Sequence, residues 1–367
     1  MVNYKITPLV QGLPATVPFI GPETQERLME SAFAVRIGAN ENVFGPSPRV
    51  VEAMSKTATD VWMYGDPEIH DLRCAVAQHH NLHPENILIG EGIDGLLSYV
   101  VRMLVEPGDT VVTSDGAYPT FNYHVIGYGG KLKFVPYYND HEDPEYLLKC
   151  AVDYQPKLLY LANPDNPMGT WWEADVIDAM ISRVPEGTLM LLDEAYSEFA
   201  PKSSLPEIDV SDSRVLRFRT FSKAYGLAGL RVGYAIGHRD LISEFNKVRN
   251  HFGVGRISQV AALAALEDSH YLREVVTNVK LGRQRLMNIA RSNNLIPLNS
   301  AANFVAIDCG RDGNYAKSIL QELVKKGIFV RMPNVPPLDR CIRISVGRKT
   351  DLDRLEVELR DILAVLK

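Results

Sequence analysis

Between residues 86 and 236 one pattern recurs: a short, almost wholly apolar run, a stretch of helical periodicity, then another apolar run. The runs are 86–90, 110–114, 131–137, 157–162, 188–193, 215–218 and 232–236. Segments 96–104, 119–128, 144–154 and 173–183, which lie between the earlier runs, read as helices. Strands without apolar–polar alternation are buried on both faces, and strands joined through helices run parallel. The chain is therefore expected to be α/β, with a mostly parallel sheet covered by helices. Ligands of such sheets collect outside the carboxyl ends of the strands. Functional residues are expected just after the apolar runs.

The rest of the chain divides around this unit. Its 367 residues exceed what one simple core encloses. Segments 303–308, 327–331 and 341–347 read as strands, and 314–326 and 351–365 as helices, which together make a smaller α+β domain. Helices are also expected at 240–252, 258–267 and 270–293, the last long and amphipathic enough to bridge the two units. The expected division is an N-terminal arm over 1–45 joining the small domain, a large domain over 46–255 and a small domain over 256–367. The arm contains Pro8, Gly12, Pro14, Pro18, Gly21 and Pro22 and reads as extended. It ends at a turn into a helix over 49–58, with Ser47 as N-cap and Pro48 in the first helical position. A turn at 62–67 and a helix over 68–80 follow.

The formal charge of −6 gives no reason to expect nucleic acid or an anionic membrane as partner. No apolar run approaches the ~20 residues of a membrane span, and residues 1–10 lack a basic-then-apolar signal pattern. Cys74, Cys150, Cys309 and Cys341 form no CxxC, so no metal site is expected. The cytoplasm is the expected location.

The chemistry centres on Arg219-Thr220-Phe221-Ser222-Lys223-Ala224-Tyr225-Gly226-Leu227-Ala228-Gly229-Leu230-Arg231. A lysine held still and partly desolvated has a neutral amine near pH 7 and can attack a carbonyl. Hydroxyls and an arginine close by suit a phosphate. Pyridoxal phosphate carries both groups. Asp193 ends an apolar strand, where a carboxylate needs a cationic partner such as a pyridinium. Gly90-Glu91-Gly92 stands between a strand and a helix, where free backbone N–H groups receive an anion.

The lysine stretch resembles, nearly position for position, the cofactor-lysine motif of class I/II pyridoxal-phosphate aminotransferases, and among them the histidinol-phosphate aminotransferase branch. Asp193-Glu194-Ala195-Tyr196, Asn163-Pro164-Asp165-Asn166-Pro167-Met168-Gly169 and the segment from Asn40 to Pro48 carry the same resemblance, which runs on to Gly347. It implies fold type I and a role for each matching residue. Lys223 would tether the cofactor and move protons. Asp193 would partner the ring nitrogen, with Tyr196 and Asn166 on the phenolic oxygen. Gly92, Ile93, Asp94, Thr220, Ser222 and Arg231 would hold the phosphate. Phe121 would stack on the ring, although an aromatic there also reads as a core residue. Tyr64 would reach the neighbouring site of a homodimer. Arg343 would bind the substrate's anionic group, with Asn40 and Asn303 nearby. Arg331 would either add a second charge or form an outward salt bridge. Val43, Ile93, Gly95 and Met168 depart from the family's usual residues.

The implied reaction moves an amino group from a small-molecule donor to a 2-oxo acid such as 2-oxoglutarate. Histidinol phosphate is the first-choice donor, and aromatic amino acids are next. A lyase or decarboxylase on the same scaffold is the alternative, because the bond broken depends on a substrate angle that the sequence does not display.

Overall fold

The structure, a computed structural model, describes residues 4–15 and 20–366; Pro18 of the arm lies outside them. The chain first pairs at β1 (Val35–Arg36). The central sheet then comprises β2 (Ile87–Gly90), β3 (Thr110–Ser114), β4 (Lys131–Val135), β5 (Leu158–Ala162), β6 (Leu189–Asp193), β7 (Val215–Thr220) and β8 (Gly233–Ile236). Their spatial order is β2-β8-β7-β6-β5-β3-β4. The pairs β7–β6, β6–β5, β5–β3 and β3–β4 are parallel, while β8 runs antiparallel to both β7 and β2. The sheet is thus mostly parallel.

Successive residues of one strand enter different cores. Leu158 and Tyr160 pack in the core beneath the helix Gly92–Leu104, with Leu96, Val100 and Phe218. Leu159 and Leu161 pack in the core beneath Pro144–Tyr154 and Ala174–Ser182, with Leu147, Ile177 and Met190. With both faces covered, both sets are mainly apolar, and the one hydroxyl among them, that of Tyr160, is hydrogen-bonded; this explains the lack of alternation. Each fully buried Leu or Ile contributes about 1.5–3 kcal/mol of transfer free energy.

A second sheet, of β9 (Ile296–Pro297), β10 (Phe304–Asp308) and β12 (Cys341–Ser345), is antiparallel in the order β12-β10-β9. Between its strands, β11 (Ile328–Phe329) pairs in parallel with β1. The main chain of Ser345 donates to Ile37 O at 2.8 Å, so the segment after β1 also lies against β12. The helix Ser269–Ser292 runs along β9 and β10.

Four expectations need correction. The arm is not simply extended: Pro8–Gln11 and Pro22–Met29 are helical, each with its proline in the first turn. Proline there loses no hydrogen bond, since the first N–H groups of a helix have no intrahelical partner. The helix expected over 240–252 stops at Glu244, with a 3₁₀ turn over Phe245–Lys247. Asn250 binds locally instead, its amide oxygen accepting from Phe252 N at 3.3 Å. The strand expected over 327–331 is only Ile328–Phe329, because at Arg331 the chain leaves β1 and bridges to Arg343 of β12. The helix after β2 starts at Gly92, within the stretch read as a turn.

Candidate active site

Three adjacent strands converge at one edge of the central sheet. In register, Gly90 faces Gly233, and Gly233 faces Thr220. This places the turn after β2 beside the turn after β7, although they are far apart in sequence. Gly92 has φ +72° and starts a helix of thirteen residues, which leaves its first N–H groups without intrahelical partners. A Cβ on Gly92 would stand 2.5 Å from Arg231 Nη2. Arg231 itself has φ +52°, and its Nη1 donates to Ser222 Oγ at 3.3 Å and to Ala228 O at 3.0 Å. Thr220 Oγ1 accepts from Ser222 N at 3.0 Å. Glycine, helix start, two hydroxyls and a guanidinium thus share one corner. Ile93 contributes main chain there, since its side chain is buried in the core. Asp94 accepts from Tyr118 OH at 3.4 Å and has His124 Nε2 at 3.6 Å.

Lys223 follows this corner. Its amine donates to Asn40 O at 3.3 Å and lies 5.7 Å from the centre of the Tyr196 ring. Burial, and then the charges of Arg343 and Arg231, lower its pKa to about 8. A substantial neutral fraction therefore exists near neutral pH. Gly226 (φ +71°) lets the loop after the lysine pack on Gly45, where a Cβ would lie 2.5 Å from the Gly45 carbonyl.

Asp193 ends β6. Its carboxylate accepts from Tyr160 OH at 2.7 Å and from Ala195 N at 2.9 Å, both neutral donors. Burial raises its pKa to about 6 against these bonds. Tyr196, three residues on, accepts from Asn40 Nδ2 at 3.0 Å, and burial pushes its pKa up to about 12. Asn40 (φ +56°) is a hub: its N–H donates to Ser345 Oγ at 3.0 Å, and its carbonyl also accepts from Asn303 Nδ2 at 3.0 Å.

Arg343 enters from β12, on the second sheet. Its Nη1 donates to Asn166 Oδ1 at 2.6 Å and its Nη2 to Gly38 O at 3.4 Å. Its Nε and the Asn303 Oδ1 are buried without a protein partner. Burial lowers the pKa of Arg343. Arg331 neighbours Arg343 across the bridge, and its Nη2 donates to Ile20 O at 2.8 Å. Burial and the Arg343 charge lower the Arg331 pKa to about 10. Two arginines on bridged positions, the charge of one felt by the other, favour an anion nearby.

The structure thus brings together Lys223, Asp193, Tyr196, Asn166, Asn40, Asn303 and Arg343, with the Gly92–Arg231 corner beside them. It does not bring in Phe121, which is fully buried with its ring stacked on Tyr160 at 4.7 Å. That corrects the expectation that Phe121 stacks on the cofactor ring; it takes the other reading, a core aromatic at a helix start. The aromatic left at this strand end is Tyr118, whose environment includes Asp94, Asp193 and Tyr196. Tyr64 lies outside the site within its own chain: it is 79 % exposed and packs on Phe252 at 4.9 Å. Sequence reasoning missed Tyr160, although a phenol inside an otherwise apolar strand was the signal, since a buried O–H needs a partner. It also missed Ser345, whose neighbour Asn40 is 305 positions away.

Comparison with known proteins agrees with this geometry. The family Aminotransferase class I and II matches residues 34–358. The histidinol-phosphate aminotransferase of Staphylococcus haemolyticus is 34 % identical over 323 residues, covering 87 % of this chain and 89 % of that one. The enzyme of the same name from a Geobacillus species is 32 % identical over 357 residues, covering 96 % and 97 %. Among solved structures, histidinol-phosphate aminotransferase from Sinorhizobium meliloti, in complex with pyridoxal 5'-phosphate, is 50 % identical with a TM-score of 0.97, covering 100 % of this chain and 99 % of that one. An aspartate aminotransferase from Thermus thermophilus, 21 % identical with a TM-score of 0.83, shares the fold. With the family pattern spanning residues 34–358, this chain belongs to the class I and II aminotransferases.

Proposed function

We propose that this enzyme transfers the amino group of histidinol phosphate to a 2-oxo acid such as 2-oxoglutarate, with pyridoxal 5'-phosphate as cofactor. The observation that carries the reading is the 50 % identity, over the whole chain, with a histidinol-phosphate aminotransferase that holds this cofactor. The residues fit the group on their own geometry. The Gly92–Arg231 corner suits its phosphate, and Asp193, a buried carboxylate with only neutral donors, suits a pyridinium. The Lys223 amine lies between them.

When bound, the cofactor supplies an electron sink for the carbon bearing the amino group. The protein supplies placement and proton handling. Asp193 keeps the ring nitrogen protonated. Tyr196 and Asn166 hold the phenolic oxygen. Tyr118, in place of Phe121, would be the aromatic that holds the ring. Gly92, Ile93 and Asp94 with Thr220, Ser222 and Arg231 hold the phosphate. Lys223 takes a proton from the donor carbon and returns one during transfer, a role for which a pKa of about 8 is well matched. Arg343, Arg331, Asn40 and Asn303 receive the donor, with the two guanidiniums on its phosphate.

The reading is tested by incubating the cofactor-loaded enzyme with 2-oxoglutarate and one donor at a time: histidinol phosphate, phenylalanine or tyrosine. Glutamate formed in step with histidinol phosphate consumed is the expected result. Donor loss without glutamate would overturn it in favour of a lyase or decarboxylase.

Two further outcomes follow from the same reading. Gly92→Ala adds a methyl group where Arg231 stands, in a backbone conformation that L side chains rarely adopt. Cofactor affinity, measured by equilibrium dialysis, is expected to fall by about tenfold or more, the loss of one charge-assisted contact. A homodimer, in the cytoplasm, completes the reading, with Tyr64 serving the neighbouring site; the exposed cluster of Val61, Trp62, Tyr64 and Phe252 supports it. Sedimentation is expected to give a dimer mass. Tyr64→Phe is expected to weaken cofactor binding severalfold without altering that mass.

A further inference from the structure

Two carboxyl groups without a role in the proposed reaction lie directly behind Asn166. Glu142 and Asp165 are each 2 % exposed. Asp165 closes the turn that carries Asn166. Its Oδ2 accepts from Met168 N at 2.9 Å and its Oδ1 from Tyr137 OH at 2.8 Å. Its main chain donates to Thr170 O at 2.8 Å and accepts from Gly169 N at 3.1 Å. Asn166, the next residue, accepts from Arg343. Glu142 spans two strand ends: Oε1 accepts from Ala162 N at 2.9 Å, and Oε2 lies 2.6 Å from Ser114 Oγ.

Neither carboxyl takes part in an ion pair among the described residues. Tyr137, Tyr160, Asp193 and Tyr196 surround the pair, and the cation whose field reaches Asp165 is Arg343. Glu142 binds Ala162 N, three residues before Asp165, and feels the Asp165 charge; two buried like charges there are costly, and one proton on the pair relieves the repulsion. Each carboxyl faces one main-chain N–H, Ala162 for Glu142 and Met168 for Asp165, and one hydroxyl, Ser114 or Tyr137, that can donate or accept. The position of Arg343 separates them: Asp165 adjoins Asn166, which Arg343 binds, and so lies in the field of that cation.

We infer that Asp165 is a positioning residue of this site: as the charged member of a singly protonated pair with neutral Glu142, it pins the turn bearing Asn166 and supplies the counter-charge of Arg343. Burial raises both groups, Asp165 to about 7 and Glu142 well above the usual carboxylate range, with the Asp165 charge adding to the rise in Glu142.

The inference rests on Arg343 as the receiver of the donor's anionic group. Its test uses sulfate, a dianion that does not titrate near neutral pH, added to the cofactor-loaded enzyme and followed by calorimetry at pH 8. Asp165→Asn retains the shape of the turn and removes one negative charge. It is expected to tighten sulfate binding about three- to tenfold, as for one charge screened at an effective dielectric constant near 20. Glu142→Gln mimics the protonated acid and is expected to leave the sulfate affinity within about twofold, a charge-neutral change in the same framework. The opposite pattern, both variants silent, or both tightening would overturn the inference. Loss of packing alone would not tighten anion binding, so a merely structural role is distinguishable.

A second readout needs no turnover and no cofactor. The infrared difference between the cofactor-free wild type and Glu142→Gln at pH 7 is expected to show loss of a protonated-carboxyl C=O band that shifts in D₂O. Loss of carboxylate bands instead would refute the assignment. Glutamate formation from the donor panel tests the proposed reaction separately, so either reading can fail while the other stands.

Discussion

Replacing Lys223 by alanine is expected to lower turnover by about four orders of magnitude, the upper range for a positioned acid–base group, and to end covalent attachment of the cofactor. Both results have one origin. The Lys223 amine sits in a desolvated place with Arg343 and Arg231 nearby, which lowers its pKa to about 8. Borohydride reduction followed by mass spectrometry checks the attachment. If a reduced cofactor adduct still forms on Lys223→Ala, the tether is a different residue. Asn40 O, which accepts from the amine at 3.3 Å, orients it. Because that contact is main chain, changes to the Asn40 side chain should perturb Tyr196 more than the lysine.

For Asp193→Asn, opposite effects on activity and on stability are expected. Turnover should drop by on the order of 10² to 10³, the size of losing one preorganised electrostatic partner, because a neutral amide cannot keep the ring nitrogen protonated. The cofactor-free variant should nevertheless be more stable than the wild type at pH 8. The folded pKa of Asp193, about 6, lies above its ordinary 3.8. The stability linked to that group is therefore fully present below about pH 4 and is lost as pH rises through about 6. Asparagine removes the pH-dependent penalty, roughly 2 to 3 kcal/mol at one pKa unit per 1.36 kcal/mol. Denaturation midpoints of both cofactor-free proteins at pH 5 and pH 8 check this. The wild type should lose stability relative to the variant at the higher pH. An equal difference at both pH values would mean that Asp193 is not the group responsible.

The legibility of the site followed the range of the interactions that build it. Lys223, Ser222, Thr220 and Arg231 lie on one short stretch, and their mutual contacts span nine residues or fewer. Asp193 and Tyr196 are likewise local to one strand end. Residue types and spacing were enough to read them. Phe121 went the other way because one aromatic at a helix start satisfies two patterns. Only the neighbour Tyr160, from a strand later in the chain, placed it in the core. Asp165 and Glu142 were invisible as a pair, since each alone reads as a turn or loop acid. Their closeness depends on β3, β5 and the 163–170 turn meeting at one edge.

The helix boundaries divide in the same way. Ser47 caps Pro48–Thr57 as expected, its Oγ accepting from Val50 N at 3.3 Å, because a cap is a contact three residues long. The shortened β11 depended on a distant partner, Arg343 for Arg331, and beyond the early stop at Glu244 the Asn250 side chain binds locally while its main chain reaches Tyr99.

The sequence by itself determined the α/β class, the position of the candidate residues just after the apolar strands and the nearness of Lys223, Ser222, Thr220 and Arg231 to one another. Apolar run length, strand-to-helix turns and residue types within one turn of each other are local properties, and local sterics and burial enforce them wherever the chain goes. Tertiary structure alone decided that Asn40, Tyr196, Asn303 and Ser345 share one hydrogen-bonded cluster with Lys223. Those contacts join residues 156 to 305 positions apart. They exist because the β1 segment packs between two sheets and shares one hydrophobic core with residues of both.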